Sequence, residues 1–184
     1  MKKIMLTLFL FLVISSLTLT PSTQKNTSDM EAVSIKEVSS FIYCCLSHKG
    51  PFTDIENVVG KLMQFSRGQN IFLSGPLFGI YYNSPEKVKP EELEWEMGFA
   101  ITPQIPVQAP LEKKQWSFTT VVTALHTGLY EETGQTISKI SKWMEANNYI
   151  QSGPVMERYL DANLSQVDPK KLRTEIWIPC EKIE

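Results

Sequence analysis

The sequence predicts an α+β domain made of two pseudo-symmetric strand–helix–strand–strand repeats, with antiparallel sheets, one long helix in each repeat and a ligand cleft between the repeats. Three observations lead to this prediction. The chain matches itself at an offset of 78 positions, each copy opens with a β-branched and aromatic run, and each copy continues into an amphipathic helical pattern.

The internal match is carried by short runs that keep their order. The run His-Lys-Gly-Pro-Phe at 48–52 aligns with His-Thr-Gly-Leu-Tyr at 126–130, and Ser-Gly-Pro at 74–76 aligns with Ser-Gly-Pro at 152–154. Glycine and proline dominate because backbone geometry depends on them. Repeat 1 is therefore predicted over about 31–102, a proline-rich linker over 103–114 and repeat 2 over about 115–182.

The elements follow from composition and period. Strands are expected over residues 33–38, 41–47, 77–82, 93–101, 116–125, 155–160 and 172–180. The first helix is expected to begin with a Thr53–Glu56 capping box, and the second with the acidic pair Glu131–Glu132. Both helices carry an apolar stripe at equivalent positions, namely Ile55, Val59, Leu62 and Phe65 in the first and Thr133, Ile137, Ile140 and Trp143 in the second.

The amino terminus has a different composition from the rest. Lys2 and Lys3 precede an apolar run over 4–19 and a polar exit, which is typical of a secretory signal peptide. Residues 1–29 are thus predicted to be a signal peptide, with an uncleaved N-terminal anchor as the alternative. The protein is then expected to be exported, periplasmic or extracellular, and to meet a membrane only through this segment. The domain itself spans 30–184.

Charge and metal-type residues exclude several classes of function. A net charge of -2 provides no basic field, so nucleic acid is not expected as a partner. His48 and His126 lack neighbours at metal-ligand spacing, and neither a metal nor a cofactor is expected. The cysteines are three, Cys44, Cys45 and Cys180, and buried free thiols are favoured over a disulfide.

Three segments resemble the GyrI-like domain, the effector-binding module of AraC-type and multidrug-sensing regulators, which also occurs as a free-standing protein. They are the run Gly-Pro-Leu-Phe-Gly-Ile-Tyr-Tyr-Asn-Ser-Pro at 75–85, Glu-Arg-Tyr-Leu at 157–160 and Thr-Glu-Ile-Trp-Ile-Pro at 174–179. The resemblance covers nearly all of residues 33–182. It implies a duplicated unit with a pocket between the copies. No helix-turn-helix pattern precedes the domain, so the regulators' DNA-binding role is not expected.

The resemblance also implies roles for single residues. A buried glutamate on the last strand of the second repeat typically contacts cationic or polar aromatic ligands, and Glu175 matches that position. Some free-standing members resemble hydrolases of reactive electrophiles, in which a glutamate and a tyrosine act together; here those would be Glu175 and Tyr130. The sequence leaves open whether the protein is an enzyme.

Strand alternation adds further candidates. Glu175 and Trp177 are predicted to share a cleft face, and Glu96 is the repeat equivalent of Glu175. If both carboxylates approach the axis between the repeats, each raises the proton affinity of the other.

The remaining ligand-binding candidates are one carboxylate and three phenols, Glu157, Tyr81, Tyr130 and Tyr159. The predicted function is an exported small-molecule-binding protein that takes amphipathic aromatic or cationic ligands between the repeats. Hydrolysis of electrophiles by a glutamate–tyrosine pair is the alternative.

Overall fold

The computed structural model describes residues 32–161 and 167–183. The predicted signal segment at 1–29 lies outside the described residues. Within the described ranges, neither helix is long and apolar enough to cross a membrane.

Nine strands and two helices make up the described chain. The strands are β1 (Ser34–Glu37), β2 (Phe41–Lys49), β3 (Leu77–Tyr81), β4 (Glu94–Ala100), β5 (Glu112–Trp116), β6 (Thr120–Thr127), β7 (Tyr149–Gln151), β8 (Val155–Tyr159) and β9 (Arg173–Lys182). The helices are α1 (Ile55–Gly68) and α2 (Thr133–Ala146). The α+β class is confirmed.

The strands form one antiparallel sheet rather than a separate sheet in each repeat. Its order is β1-β6-β9-β8-β3-β4-β2-β5, and β7 pairs with β9. The outer strands come from the opposite half of the chain, since β1 pairs with β6 and β5 pairs with β2. The predicted linker over 103–114 therefore ends earlier, because β5 begins at Glu112. The predicted strand over 116–125 is divided between β5 and β6.

Both helices pack on the same face of the sheet, and they do so through the predicted stripes. The stripe residues Ile55, Val59, Leu62 and Phe65 of α1 and Ile137, Ile140 and Trp143 of α2 belong to, or pack against, the apolar clusters beneath the helices. In α1 the buried residues are Val58, Leu62 and Ser66. The helix is capped at Asp54 without a side-chain hydrogen bond, so the predicted capping box with Thr53 is wrong. In α2 the buried residues are Thr133, Thr136, Ile140 and Met144. A short 3-10 turn precedes each helix.

The two faces of the sheet have separate apolar clusters. The helix-covered face holds one cluster with Trp95 and Phe99 under α1, and another with Ile176 and Ile178 under α2. The opposite face holds a third cluster, with no helix residue in it, made of Tyr43, Cys45, Phe78, Ile80, Trp116, Val121, Met156 and Trp177. Each fully buried large apolar side chain stabilises the fold by about 1.5–3 kcal/mol, so both faces contribute substantially.

Candidate functional site

The strands β3 and β8 lie next to each other in the middle of the sheet. Their antiparallel register pairs Gly79 with Glu157, and Leu77 with Tyr159. Glu157 and Tyr159 lie on the helix-covered face, because Arg158 between them points to the opposite face, where it pairs with Glu175. Tyr81 lies on the same face, packed against the cluster under α1.

A chain of hydrogen bonds links three of these side chains. The Tyr81 and Tyr159 hydroxyl oxygens are 2.7 Å apart, and the Tyr159 hydroxyl donates to Glu157 Oε2 at 3.1 Å. Gly79 makes room for this arrangement, since a Cβ there would lie 2.7 Å from the Tyr81 hydroxyl. We call Tyr81, Tyr130, Thr133, Glu157 and Tyr159 the central cluster.

Glu157 is the charged member of the central cluster and is only 6% exposed. Burial raises the pKa of Glu157, although hydroxyl groups of Thr133, Tyr159 and Tyr81 act in the opposite direction. Among the residues that the structure describes, no basic side chain forms an ion pair with Glu157. A buried carboxylate whose described partners are hydroxyl groups would be stabilised by a positive charge placed next to it.

Aromatic rings surround this carboxylate. Tyr130 meets Tyr159 edge to face at a centroid distance of 5.0 Å, and Phe52 meets Tyr81 in the same way at 5.3 Å. Phe52 and Tyr130 each lie in the 3-10 turn that precedes a helix. Sequence analysis did not select Phe52, although the internal alignment placed it on Tyr130 and could have identified it. All three tyrosines of the central cluster are partly exposed.

The structure places Glu175 and Trp177 on the other face of the sheet. Lys36 Nζ lies 2.7 Å from Glu175 Oε1, and Arg158 also pairs with this carboxylate. Burial raises the pKa of Glu175, but the two cations outweigh it and hold the pKa below its ordinary value. Lys36 and Arg158 also lie over the Trp177 ring, at 5.1 and 4.3 Å from its centroid. Glu175 and Trp177 thus share one face, as predicted, and two cations of the chain already neutralise the carboxylate.

Glu96 lies on the same helix-free face and is fully buried. It accepts a hydrogen bond from the Tyr43 hydroxyl at 2.7 Å and pairs with Lys114 Nζ at 2.6 Å. Strands β4 and β9 are three strand positions apart in the sheet, about 14 Å. Glu96 and Glu175 thus do not meet at the axis, and the predicted mutual effect on their proton affinities is wrong.

The predicted pair of Glu175 and Tyr130 is also wrong. Tyr130 contacts Tyr159 on the helix-covered face, while Glu175 contacts Arg158 on the opposite face. Two side chains separated by the sheet cannot handle one reacting group together.

The cysteines and histidines take structural positions. Cys44, Cys45 and Cys180 are buried and free, and burial raises the pKa of Cys44 to about 11. His48 Nε2 lies 2.9 Å from Asp54 Oδ2, and His126 bonds the Thr136 hydroxyl at 3.0 Å. Within the described ranges, no group of three or more side chains of metal-binding type comes together.

Several solved structures share the fold of this chain. The EcmrR C-terminal domain is 21% identical with a TM-score of 0.73, covering 83% of this chain and 99% of that one. A Listeria innocua protein described as a hydrolase is 14% identical with a TM-score of 0.63, covering 82% and 92%. The protein SAV2435, solved bound to tetraphenylphosphonium, is 12% identical with a TM-score of 0.56, covering 82% and 94%.

No curated protein matches the chain. The family model described as "GyrI-like small molecule binding domain" matches residues 31–181, which is most of the sequence. The match covers every strand and helix described above except the last residue of β9. The chain therefore belongs to the GyrI-like small-molecule-binding domain family.

Proposed function

We propose that the protein binds amphipathic aromatic cations at the central cluster. The observation that carries this proposal is the buried Glu157 carboxylate, which has hydroxyl partners and no described cation against it. Partly exposed phenol rings stand beside the carboxylate and suit the electron-poor aromatic groups of such a ligand. Membership of a small-molecule-binding family supports the assignment.

The candidate carboxylates of the sheet differ in how many cations of the chain already pair with them, and this difference favours Glu157 as the ligand site. Glu175 faces two cations and Glu96 faces one, so a cationic ligand at either would have to displace an internal partner. At Glu157 a ligand would supply the missing charge without breaking an ion pair. The neighbouring SAV2435 binds a lipophilic phosphonium, which is a ligand of this class.

The test is a thermal-shift titration of the full chain with tetraphenylphosphonium, using neutral triphenylmethanol of similar bulk as the control ligand. A ligand present at one hundred times its dissociation constant adds about 2.7 kcal/mol to the stability of the folded state. We expect the cation to raise the melting temperature of the wild type and of Glu175→Gln, and to have little effect on Glu157→Gln. Equal shifts with the neutral compound, or an unchanged shift in Glu157→Gln, would refute the proposal.

The second candidate function is hydrolysis of a reactive electrophile at the same cluster. The observation in its favour is the direct hydrogen bond between the Tyr159 hydroxyl and Glu157 Oε2. In this scheme Glu157 would take a proton from attacking water, and the phenol of Tyr81 or Tyr159 would donate one to the leaving atom. Turnover of an electrophile panel that is lost in both Glu157→Gln and Tyr159→Phe would support it, and turnover retained in Glu157→Gln would exclude it.

The central cluster is best understood as the junction of two related units, and we propose that the chain arose from them. The helices begin 78 positions apart, at Ile55 and Thr133, and each has 14 residues. Asn70 and Asn148 both have positive φ, at 57° and 62°. The β3–β8 register pairs Gly79 with Glu157, which are themselves 78 positions apart, so a two-fold axis would pass between them. An additional support is the exchange of outer strands between the halves.

We further propose that the protein is exported. The support is the charged, apolar and polar succession over residues 1–29. Determination of the amino-terminal residue of the protein recovered from its native host would test this. A terminus near residues 16–23 is expected, whereas a mature chain that retains Met1 would contradict the cleaved signal peptide.

A further inference from the structure

We infer that Thr133 is a positioning residue of the central cluster: its hydroxyl is shared between the Glu157 carboxylate and the Tyr130 carbonyl, and it thereby couples the charge on Glu157 to the turn that carries the Tyr130 ring. Thr133 is the first residue of α2 and is only 7% exposed. The importance of this coupling for ligand binding rests on the proposed function, whereas the coupling itself is a property of the ligand-free protein.

The Thr133 hydroxyl has one hydrogen and two acceptors within reach. It donates to the Tyr130 carbonyl oxygen at 2.9 Å. It also hydrogen-bonds Glu157: burial raises the pKa of this carboxyl group, and Thr133 is the hydroxyl that opposes the rise most strongly. A threonine hydroxyl rotates freely but donates to one acceptor at a time, so the two acceptors compete for its hydrogen.

The charge on Glu157 decides this competition. An ionised carboxylate accepts the stronger, charge-assisted hydrogen bond, so the hydroxyl turns to Glu157. A protonated carboxyl group can itself donate to the Thr133 oxygen, and the hydroxyl hydrogen then goes to the Tyr130 carbonyl. That carbonyl also accepts the backbone N–H of Thr133, so it keeps a partner in both states.

The coupling reaches the aromatic wall of the cluster because Tyr130 is held at both ends. Its carbonyl contacts Thr133, and its ring meets the Tyr159 ring at a centroid distance of 5.0 Å. When a bound cation keeps Glu157 ionised, the 3-10 turn at 130–132 gives up its hydrogen bond from the Thr133 side chain. The Tyr130 ring is then less constrained and can adjust to the ligand.

The first repeat shows the same position without a carboxylate. Ile55 opens α1 and Thr133 opens α2, 78 positions apart, and Gly79 stands 78 positions before Glu157. Where the strand carries no carboxylate, the helix thus begins with an apolar β-branched residue. The hydroxyl accompanies the carboxylate, and an apolar side chain of similar shape fits the start of such a helix.

The groups that face Glu157 come from four elements. Tyr81 of β3, Tyr159 of β8 and Thr133 of α2 supply hydroxyls, and Ile176 of β9, opposite Glu157 in the register, is apolar. Burial raises the pKa of both phenols, so Glu157 is the first of these groups to lose its proton as the pH increases. The charged groups on the adjoining turns are exposed to solvent or paired with one another, namely Glu131, Glu132, Asp161 and Arg173.

Carboxyl-carbon nuclear magnetic resonance of the ligand-free full chain measures the Glu157 titration, and Glu157→Gln identifies the signal. Thr133→Val removes the hydroxyl and keeps the shape, and we expect it to increase the proton affinity of Glu157 by about tenfold, as for a lost hydrogen bond to a charged group. Thr133→Ser should restore the wild-type midpoint, and Ile55→Val, the matched change in α1, should leave it in place. An unchanged midpoint in Thr133→Val, or an equal shift in Ile55→Val, would overturn the inference.

The Tyr130 carbonyl carbon provides a second measurement, which decides the question even if Thr133→Val does not fold. In the wild type its signal should move upfield as Glu157 loses its proton, because the carbonyl loses a hydrogen bond, and in Glu157→Gln it should not respond to pH. A signal that stays in place or moves downfield in the wild type would overturn the inference. Since neither measurement uses a ligand, an absence of tetraphenylphosphonium binding would refute the proposed function alone.

Discussion

Glu157 and Glu96 are both buried in the same sheet, yet their surroundings differ in one respect. Glu96 has the ammonium of Lys114 against it, while Glu157 has tyrosine and threonine hydroxyls. A buried charge that is paired inside the chain serves the fold, whereas one that is left without a counter-charge weakens the fold and suits a ligand. The comparison indicates a structural role for the helix-free carboxylates and supports the proposed cation site at Glu157.

Two ion pairs of the helix-free face also connect the two halves of the chain. Lys114 lies on β5 and reaches Glu96 on β4, while Lys36 lies on β1 and reaches Glu175 on β9. In both cases the lysine comes from an outer strand that belongs to the other half by sequence. These contacts therefore hold the exchanged strands in place.

The largest effect is expected for Lys114→Met, which leaves the Glu96 carboxylate buried without its cation. Removing one partner of a buried ion pair costs about 3–5 kcal/mol, and the partial exposure of Lys114 reduces this to about 2–4 kcal/mol. Urea denaturation measures the loss. The double variant Lys114→Met/Glu96→Gln should recover most of it, and a double variant as unstable as the single one would contradict the assigned role.

The next effect is on cation affinity. Glu157→Gln should weaken tetraphenylphosphonium binding by about ten- to hundredfold, because the ligand loses its counter-charge in a poorly solvated site. Equilibrium dialysis measures the change, with Glu96→Gln as the control at an equally buried carboxylate. Similar losses in both variants would show that the two faces are not distinguished by charge.

Stability should change in the opposite direction in the same variant. The pKa of Glu157 is raised in the folded state, so folding binds a proton above the ordinary value of 4.5 and stability falls as the pH increases through the raised value. Glu157→Gln removes this loss and should stabilise the ligand-free protein at pH 7. Thermal unfolding at pH 5 and pH 7 checks it: the gain should be smaller at pH 5, and a destabilised variant at pH 7 would be inconsistent with an unpaired charge.

Particular residues show how much of the fold and of the candidate site could be predicted from the sequence. Both helices, most of the strands, the shared faces of Glu157 with Tyr159 and of Glu175 with Trp177, and the buried free cysteines followed from alternation and spacing. The strand β7 and the start of β5 within the predicted linker did not. Four of the seven ligand candidates, Tyr81, Tyr130, Glu157 and Tyr159, do meet in one cluster.

What the sequence could not supply was the neighbour of each carboxylate. Lys36 is 139 positions from Glu175, and only the exchange of the outer strands brings them together. Because that exchange is a property of strand order, no local pattern indicated that Glu175 is neutralised. Because strand order could not be read from the sequence, the sequence pointed to Glu175 rather than Glu157 as the main ligand-binding carboxylate.

The smallest effect is expected at the more exposed ion pair. Lys36→Met should destabilise the protein by about 0.5–1 kcal/mol, because Glu175 keeps Arg158 and the Lys36 side chain is 43% exposed. Urea denaturation in parallel with Lys114→Met gives the comparison within one experiment. If Lys36→Met destabilised the protein as much as Lys114→Met does, burial would not determine how much each ion pair contributes to stability.

The most direct test of the account is calorimetric titration of tetraphenylphosphonium into the wild type, Glu157→Gln and Glu175→Gln at pH 7 and pH 5. The account predicts that binding persists in Glu175→Gln and is largely lost in Glu157→Gln. It also predicts weaker binding to the wild type at pH 5, because protonation of Glu157, whose pKa is raised, removes the negative charge. Loss of binding in Glu175→Gln with full retention in Glu157→Gln would contradict it.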